Sequence, residues 1–232
     1  MNASTRRTRP DEPLMARLVP ADPYHNQLHR RVLARQIVDA ARCCATGRVL
    51  DVGCGTKPYA EVFLSQGCEY VGLDVEDRGG VDVVGTALDI PFDPESFDTV
   101  FSSQVLEHVR DPFRMLAECA RVLRPGGYLI LTAPFSWQIH EEPNDYFRFS
   151  EYGLRELSER AGLAVESIEP MGGIWVNVAT SISYFLFWQS HRKGRLNRLA
   201  CRTVQRAGAS LDRRYHWPQA TNNYVLIARK PE

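Results

Sequence analysis

The stretch RVLDVGCG, residues 48–55, constrains the fold of this chain more than any other. Its first part is rich in branched apolar side chains, as in a buried strand, and it runs directly into a turn with Gly53 and Gly55. Glycine allows a left-handed backbone and the close approach of another molecule. A strand followed by such a turn is typical of open α/β sheets, in which ligands bind at the carboxyl ends of the strands.

Strand-like and helix-like segments alternate along most of the chain. Two helix patterns carry clear start signals, Asp111 before Pro112 and Ser150 before an apolar-periodic run. This alternation predicts an α/β fold with a doubly wound, mostly parallel sheet. Strands are predicted at 48–52, 70–75, 81–85, 97–102, 128–133, 164–169 and 223–229, and helices at about 24–45, from 112 to a stop at Pro125, and from 151 to Gly162.

Length and composition favour one cytoplasmic α/β domain. Residues 46–232 can form such a domain with a sizeable core, preceded by an N-terminal segment and helix over 1–45. The N-terminus shows no apolar secretory signal, and no run of 18 apolar residues predicts a membrane-spanning helix. Six cysteines without CxxC pairs favour a reducing cytosol, and 28 basic against 28 acidic side chains favour no particular partner.

Polar or ring-packing side chains follow the ends of four successive predicted strands. They are Asp51, Asp74, the pair Asp89 and Ile90, and Ser103. Because the carboxyl ends of parallel strands meet at one edge of a sheet, these groups are expected to converge. Asp74 suits two vicinal ribose hydroxyls, Asp89 an exocyclic amine, and Ile90 a purine ring. With Ser103 near a charged tail, the set predicts a site for a nucleoside cofactor.

The glycine turn departs from a dinucleotide-binding fingerprint. That fingerprint reads GxGxxG after the strand, and Pro58 occupies the third glycine position here. The proline disfavours a nicotinamide-dependent oxidoreductase, which remains one alternative. A protein that binds its cofactor without catalysis is another. Thermal shifts with each cofactor would test the first alternative, and transfer of a labelled group would test the second.

In order and spacing, five motifs between about residues 47 and 165 resemble those of the class I S-adenosylmethionine-dependent methyltransferases. LDVGCG resembles the first motif, GLDV the ribose-binding acid and LDIPF the adenine-side loop, while FDTVFSSQVLEHV and RVLRPGGYLILTAP resemble the motifs around strands four and five. The resemblance implies S-adenosylmethionine as cofactor and a seven-stranded Rossmann-like sheet with an antiparallel last strand. It implies that Gly53 and Gly55 accommodate the methionine portion, Asp74 the ribose, and Asp89 with Ile90 the adenine.

Acceptor-side residues are predicted mainly in the long segment 134–149 after the fifth strand. This segment mixes aromatic side chains with His140 and Asp145, while His108 follows the fourth strand beside the cofactor site. The GCGTKPY and PxDYxRFS patterns resemble a subgroup met with sugar or cell-envelope chemistry. We expect O-methylation of a small-molecule, glycan or lipid-linked acceptor, with these three residues as candidate bases. N- or C-methylation of a small metabolite remains an alternative.

Two further expectations concern metals and membranes. Some quinone-pathway methyltransferases carry Glu-x-x-Glu-His where this chain has Gln104, Glu107 and His108, and the missing first carboxylate predicts no metal here. A helical insertion is predicted at about 171–220, first apolar and then rich in arginine. Its part 174–214 is interpreted either as a lid on the acceptor pocket or as a peripheral contact with an anionic membrane. Without interleaved aromatics, the basic run fits nucleic acid poorly.

Overall fold

The chain folds around one seven-stranded sheet. In the computed structural model, residues 12–19, 27–77, 79–189 and 195–232 are described. The strands are β1 Arg48–Val52, β2 Glu69–Asp74, β3 Val83–Val84, β4 Phe97–Ser103, β5 Leu123–Pro134, β6 Ala164–Pro170 and β7 Asn223–Arg229. They lie in the order β3-β2-β1-β4-β5-β7-β6, and β7 runs antiparallel to both of its neighbours while the pairs among β1 to β5 are parallel. This arrangement confirms the predicted fold class.

Helices cover both faces of the sheet. They are α1 Glu12–Leu18, α2 Gln27–Cys44, α3 Ala60–Leu64, α4 Pro112–Val122, α5 Glu151–Arg160, α6 Ile174–Gln189 and α7 Arg195–Arg214, with 3₁₀ turns at Leu106–His108 and Pro218–Ala220. Because side chains alternate along a strand, Val49 of β1 packs with α2 and α3 whereas Leu50 packs with α4 and α5. Helix α2 corresponds to the helix predicted at about 24–45, and its predicted start near residue 24 lies outside the described residues.

The two predicted helix starts are confirmed by their caps. The Asp111 carboxylate accepts a hydrogen bond of 3.0 Å from the Arg114 N–H, and the Ser150 hydroxyl accepts one of 3.2 Å from the Gly153 N–H. Each bond satisfies an N–H group that has no partner within its helix. Each cap therefore fixes the residue at which its helix begins.

Two strands differ from their predicted bounds by more than one residue. The third strand is confined to Val83–Val84, because the Asp82 carboxylate accepts the Gly72 N–H (2.7 Å) and ends the regular ladder there. The fifth strand begins at Leu123, before the Pro-Gly-Gly turn instead of after it, because Leu123 pairs with Phe97 of β4. Both differences arise from a neighbouring strand and not from the local sequence.

Helices α6 and α7 lie between β6 and β7, where the sequence predicts a helical insertion. The Asp212 carboxylate, near the end of α7, accepts the Gly173 N–H (3.1 Å) just before α6. Further along, the Cys201 thiol lies 3.7 Å from the Ser183 carbonyl, so the two helices are antiparallel. The basic residues predicted at 192 and 193 lie outside the described residues. Among the helices that the structure describes, none combines the length and the apolarity needed to cross a membrane.

Candidate functional site

A cavity of about 410 Å³ lies at the carboxyl ends of β1, β2 and β4, a volume within the range of small-molecule sites. It is lined by four residues that the sequence analysis selected, Gly53, Gly55, Asp74 and His108. Its wall also includes Ala87 and Leu88 after β3, Val105 after β4, and Asn144 and Tyr146 from the segment after β5. Gly53, Gly55 and Asp74 thus meet at one edge of the sheet, and His108 lies in the same cavity.

The glycine turn forms one wall of the cavity. Gly53 and Gly55 have φ angles of 77° and 52°, both in the left-handed region. The Gly53 N–H donates to the Leu73 carbonyl (2.8 Å), which ties the turn to β2. A Cβ at Gly53 would overlap the Val105 side chain, whereas no heavy atom lies within 4 Å of a Cβ placed at Gly55. Packing therefore requires the first glycine, and the second leaves backbone open to a ligand.

Asp74 ends β2 and places its carboxylate on the cavity wall. Its Oδ2 accepts from the Gly55 N–H at 2.8 Å, and its Oδ1 accepts from the Glu76 N–H at 3.2 Å. A carboxylate has about four acceptor sites, so both oxygens retain capacity toward a ligand. The acid and the glycine turn form one unit that could hold a vicinal diol beside open backbone.

Two other predicted cofactor residues lie behind the cavity wall. Asp51 is buried beneath the glycine turn, where the Tyr70 hydroxyl donates to its carboxylate. Burial raises the pKa of Asp51 to about 7. The Ser103 hydroxyl lies 2.9 Å from that of Thr132 and joins β4 to β5. Neither Asp51 nor Ser103 lines the cavity, so any effect on a ligand would pass through the strands that they support.

The loop predicted to hold the adenine presents other side chains to the cavity. Ile90 is only 2% exposed and packs in the core, and its N–H donates to the Glu118 carboxylate (2.9 Å). Asp89 is exposed and does not line the cavity. Ala87 and Leu88 line it instead. The loop therefore borders the cavity as predicted, but through Ala87 and Leu88 and not through Asp89 and Ile90.

The segment 135–149 after β5 is braced by Asp145 and Arg148. The Asp145 side chain is 3% exposed, and its two oxygens accept from the guanidinium at 2.5 and 2.7 Å. The same guanidinium donates to the carbonyls of Trp137 (3.2 Å) and Gln138 (2.9 Å). Hydrogen bonds from Arg148 hold the pKa of Asp145 far below its usual range. A carboxylate held in this way is a weak proton acceptor at neutral pH.

Two histidines meet at the edge of the cavity. The rings of His108 and His140 lie edge to face, with their centroids 4.8 Å apart. His108 Nδ1 lies 2.7 Å from the Asn144 carbonyl, and His140 Nδ1 lies 3.4 Å from the Asp145 carboxylate. Since both Nδ1 atoms face acceptors, the arrangement favours a hydrogen on Nδ1 and a lone pair on Nε2 of each ring.

Glu107 adjoins both histidines, and its sequence context relates it only to a metal motif. Its carboxylate is fully buried, and neither oxygen has a hydrogen-bond partner among the described residues. Its Oε1 lies 3.8 Å from His108 Nε2 and 4.0 Å from His140 Nε2. Burial raises the pKa of Glu107 to about 8, although the charge of Arg148 opposes the shift. A buried polar group without a partner is costly and points to a functional role.

Part of the chain matches a known family and several curated relatives. Residues 50–131 match the family described as a methyltransferase domain. Over 112 residues the chain is 38% identical to the demethylmenaquinone methyltransferase of Renibacterium salmoninarum, covering 44% of this chain and 47% of that protein. Over 100 residues it is 31% identical to the ubiquinone biosynthesis O-methyltransferase of Aliivibrio fischeri, covering 37% of this chain and 43% of that protein. The chain thus spans about half the length, or less, of these curated relatives.

The fold is shared with solved structures. The [4+2]-cyclase SpnF superposes with a TM-score of 0.63 at 20% identity, over 91% of this chain and 86% of that one. At this identity the likeness concerns the fold alone. The region that matches the methyltransferase domain contains the end of β1, the glycine turn, Asp74 and the 3₁₀ turn with Glu107 and His108. Residues 50–131 thus match a methyltransferase domain, and they supply most of the cavity wall.

Proposed function

We propose that this chain binds S-adenosylmethionine in the cavity and transfers its methyl group to an oxygen of a small acceptor. One observation carries the proposal: the glycine turn, Asp74 and His108 line one continuous cavity. Open backbone and a carboxylate suit the cofactor's methionine and ribose parts, and Ala87 with Leu88 offers an apolar wall to its adenine. At the other end, His108 and its neighbours suit an acceptor that must lose a proton.

Methyl transfer from a sulfonium is an in-line displacement. An oxygen lone pair of the acceptor attacks the methyl carbon, the O–C bond forms as the C–S bond breaks, and the bonding pair stays on sulfur. The hydroxyl proton of the acceptor leaves toward Glu107, His108 and His140, directly or through water. Positioning can supply effective molarities of about 10⁵–10⁸ M, and assisted proton removal adds a factor of about 10²–10⁴.

The neighbouring surface suits an acceptor with an aromatic or apolar part. A second cavity of about 460 Å³ lies between the segment after β5 and α6, with Trp137, Tyr184 and Phe185 in its wall. The ring centroids of Trp137 and Tyr184 are 6.5 Å apart, and the ring planes are inclined by 61°. Gln138 lines this second cavity and Glu141 lines the first, so one segment borders both. The quinone-related names of two relatives agree with such an acceptor.

Replacing His140 with alanine should lower methyl transfer by roughly 10²-fold or more, because the acceptor would lose assistance with its proton. Affinity for S-adenosylhomocysteine should change little, since the His140 ring does not line the cofactor cavity. Transfer would be measured from labelled S-adenosylmethionine to small-molecule, lipid and glycan fractions, and affinity by calorimetry. His216→Ala is the matched control, because that histidine lies beside Asp212 on another surface (3.2 Å). Cofactor binding without transfer to any fraction would favour a non-catalytic protein.

We also infer that α6 and α7 contact an anionic lipid surface. Helix α6 contains no charged side chain. Three of its apolar side chains are exposed to solvent: Val178 by 37%, Ile182 by 42% and Phe185 by 59%. Residues with this spacing lie on one face of a helix. An exposed apolar face of this kind suits the boundary between lipid headgroups and acyl chains.

Helix α7 supplies the complementary charge. Arg202, Arg206 and Arg213 are exposed, and Leu199 beside them is 62% exposed. The only acidic residue of α7, Asp212, is buried and accepts a hydrogen bond from backbone at the start of α6. The outward charge of α7 is therefore positive, which favours anionic headgroups. Because α6 also borders the aromatic cavity, a lipid-linked acceptor could reach the site from this surface.

The double variant Arg202→Glu and Arg206→Glu should weaken binding to anionic vesicles by roughly 30-fold or more, since each basic residue contributes about 1 kcal/mol near such a surface. Sedimentation with phosphatidylserine-containing and purely neutral vesicles, each at low and high salt, measures the effect. Charge reversal at Arg155 and Arg160 on α5 is the control and should leave binding intact. If the unmodified protein fails to co-sediment with anionic vesicles at low salt, α6 and α7 act only as a cover for the acceptor side.

A further inference from the structure

Glu107, His108 and His140 have the donor set of a metal centre. One carboxylate oxygen and one nitrogen from each imidazole lie within 4.8 Å of one another. The Glu107 oxygens are buried and accept no hydrogen bond from the described residues. A buried carboxylate in this position costs free energy unless it is protonated or meets a cation. We propose that the three residues bind one divalent first-row transition-metal ion.

The surroundings of the two histidines support this proposal. Metal-binding histidines almost always donate their second ring N–H to a carbonyl or carboxylate, which orients the ring and leaves the other nitrogen as the ligand. His108 Nδ1 has such a partner in the Asn144 carbonyl, and His140 Nδ1 has one in the Gln138 carbonyl (3.3 Å), with the Asp145 carboxylate at 3.4 Å. Asp145 is itself fixed by Arg148 and by the backbone N–H of His140 (2.9 Å). Both Nε2 atoms are therefore available on the side of Glu107.

The separations between the three ligand atoms are somewhat longer than those around a bound ion. Ligands at 2.0–2.2 Å from zinc lie about 3.4 Å apart in a tetrahedral arrangement. The Oε1 of Glu107 lies 3.8 and 4.0 Å from the two Nε2 atoms, and one ligand atom from each of the three residues lies within 4.8 Å of the others. Rotations of the two imidazoles that move their nitrogens by about 1 Å would bring the three together. Two imidazoles and one carboxylate favour zinc, cobalt, manganese or iron over magnesium and calcium, which prefer oxygen ligands.

The third ligand explains why the proposal departs from the sequence-based expectation of no metal. That expectation rests on Gln104 in place of a carboxylate. In the structure the Gln104 amide donates to Thr132 and Asn223 (3.0 Å each). His140, from the segment after β5, approaches Glu107 and His108 instead. The proposed ligand set thus comes from two distant segments and not from one contiguous motif.

The role of the ion rests on the proposed function. His108 lines the cavity, so a cation on its Nε2 would lie at the cavity edge. A cation there would lower the pKa of an acceptor hydroxyl, whose proton would pass to solvent before the oxygen attacks the methyl group. The two histidines would then act as ligands and not as free bases. Binding of the ion itself does not depend on the identity of the acceptor.

The test is direct binding of ZnCl₂ and CoCl₂ to the full chain after treatment with a chelator. Calorimetry should show one ion per chain, and the visible absorption of Co²⁺ should report nitrogen and oxygen ligands. Glu107→Gln and His140→Ala should each weaken binding by roughly tenfold or more. His216→Ala is the matched control and should bind normally, since that histidine has a carboxylate neighbour but belongs to no described three-donor group.

Two results would overturn the proposal: no ion bound by the unmodified protein at stoichiometric concentration, or equal binding by all of the variants. Circular dichroism would establish that each variant folds, and the partly exposed His140 carries the test should Glu107→Gln fail to fold. Affinity for S-adenosylhomocysteine, measured in parallel, separates the two proposals. Loss of metal binding with intact cofactor binding contradicts only the metal site, whereas absence of cofactor binding contradicts the proposed function.

Discussion

Asp74→Ala is expected to weaken binding of S-adenosylmethionine and S-adenosylhomocysteine by about 1.5–3 kcal/mol, or roughly 10- to 150-fold. The carboxylate lies on the cavity wall at the end of β2 and keeps acceptor capacity for two ribose hydroxyls. Hydrogen bonds to a charged group account for a loss of this size. Isothermal calorimetry with both ligands would measure it.

Two other variants separate the contact with ribose from the contact with the glycine turn. Asp74→Asn keeps an oxygen that can accept the Gly55 N–H, so it should melt as the unmodified protein does while losing part of the affinity. Asp77→Ala removes a nearby exposed carboxylate whose partner is the Gly79 N–H (2.9 Å), and it should bind normally. Full affinity in Asp74→Ala would contradict the placement of the cofactor in this cavity.

The sequence predicts elements well where the determining signal is local. Asp111 before Pro112 specifies the start of α4 without reference to the rest of the chain, and the structure has the cap that this pair predicts. The start of β5, by contrast, depends on a residue that is distant in the sequence. Leu123 is extended because its backbone pairs with Phe97, and no local pattern reports the presence of that partner. Elements were therefore predictable, but boundaries set by pairing were not.

The same distinction applies to the site. Asp74 was predictable because it ends a strand, and strand ends meet at one edge. The direction of the Ile90 side chain was not predictable. In an irregular loop, tertiary packing determines which side chain is buried, and here Ile90 packs in the core. Glu107 meets His140 only because the segment after β5 folds back, where the N–H groups of Tyr146 and Phe147 donate to the Glu107 carbonyl (2.9 and 3.3 Å). Such long-range contacts leave no periodic signal in the sequence.

Alanine at the two glycines of the turn should produce two different defects. Gly53→Ala combines a left-handed φ with overlap against Val105, so it should lower the free energy of unfolding by about 2–5 kcal/mol. Gly55→Ala meets no neighbouring atom and should cost only about 1–2 kcal/mol of stability. Its methyl group would, however, occupy open space beside the cavity. Cofactor affinity should therefore fall by more than stability does in Gly55→Ala. Urea unfolding and calorimetry on both variants provide the comparison.

A double variant identifies the cause of the Gly53 defect. If overlap with Val105 is responsible, Val105→Ala should restore part of the stability lost in Gly53→Ala, with a coupling of about 0.5–3 kcal/mol in the four-member cycle. The unrecovered remainder would be the cost of the left-handed backbone. Additive losses would show that the overlap is relieved by a backbone shift instead. Full cofactor affinity in Gly55→Ala would mean that no ligand group lies against the backbone at Gly55. The glycine turn would then contribute to packing alone and not to recognition of the cofactor.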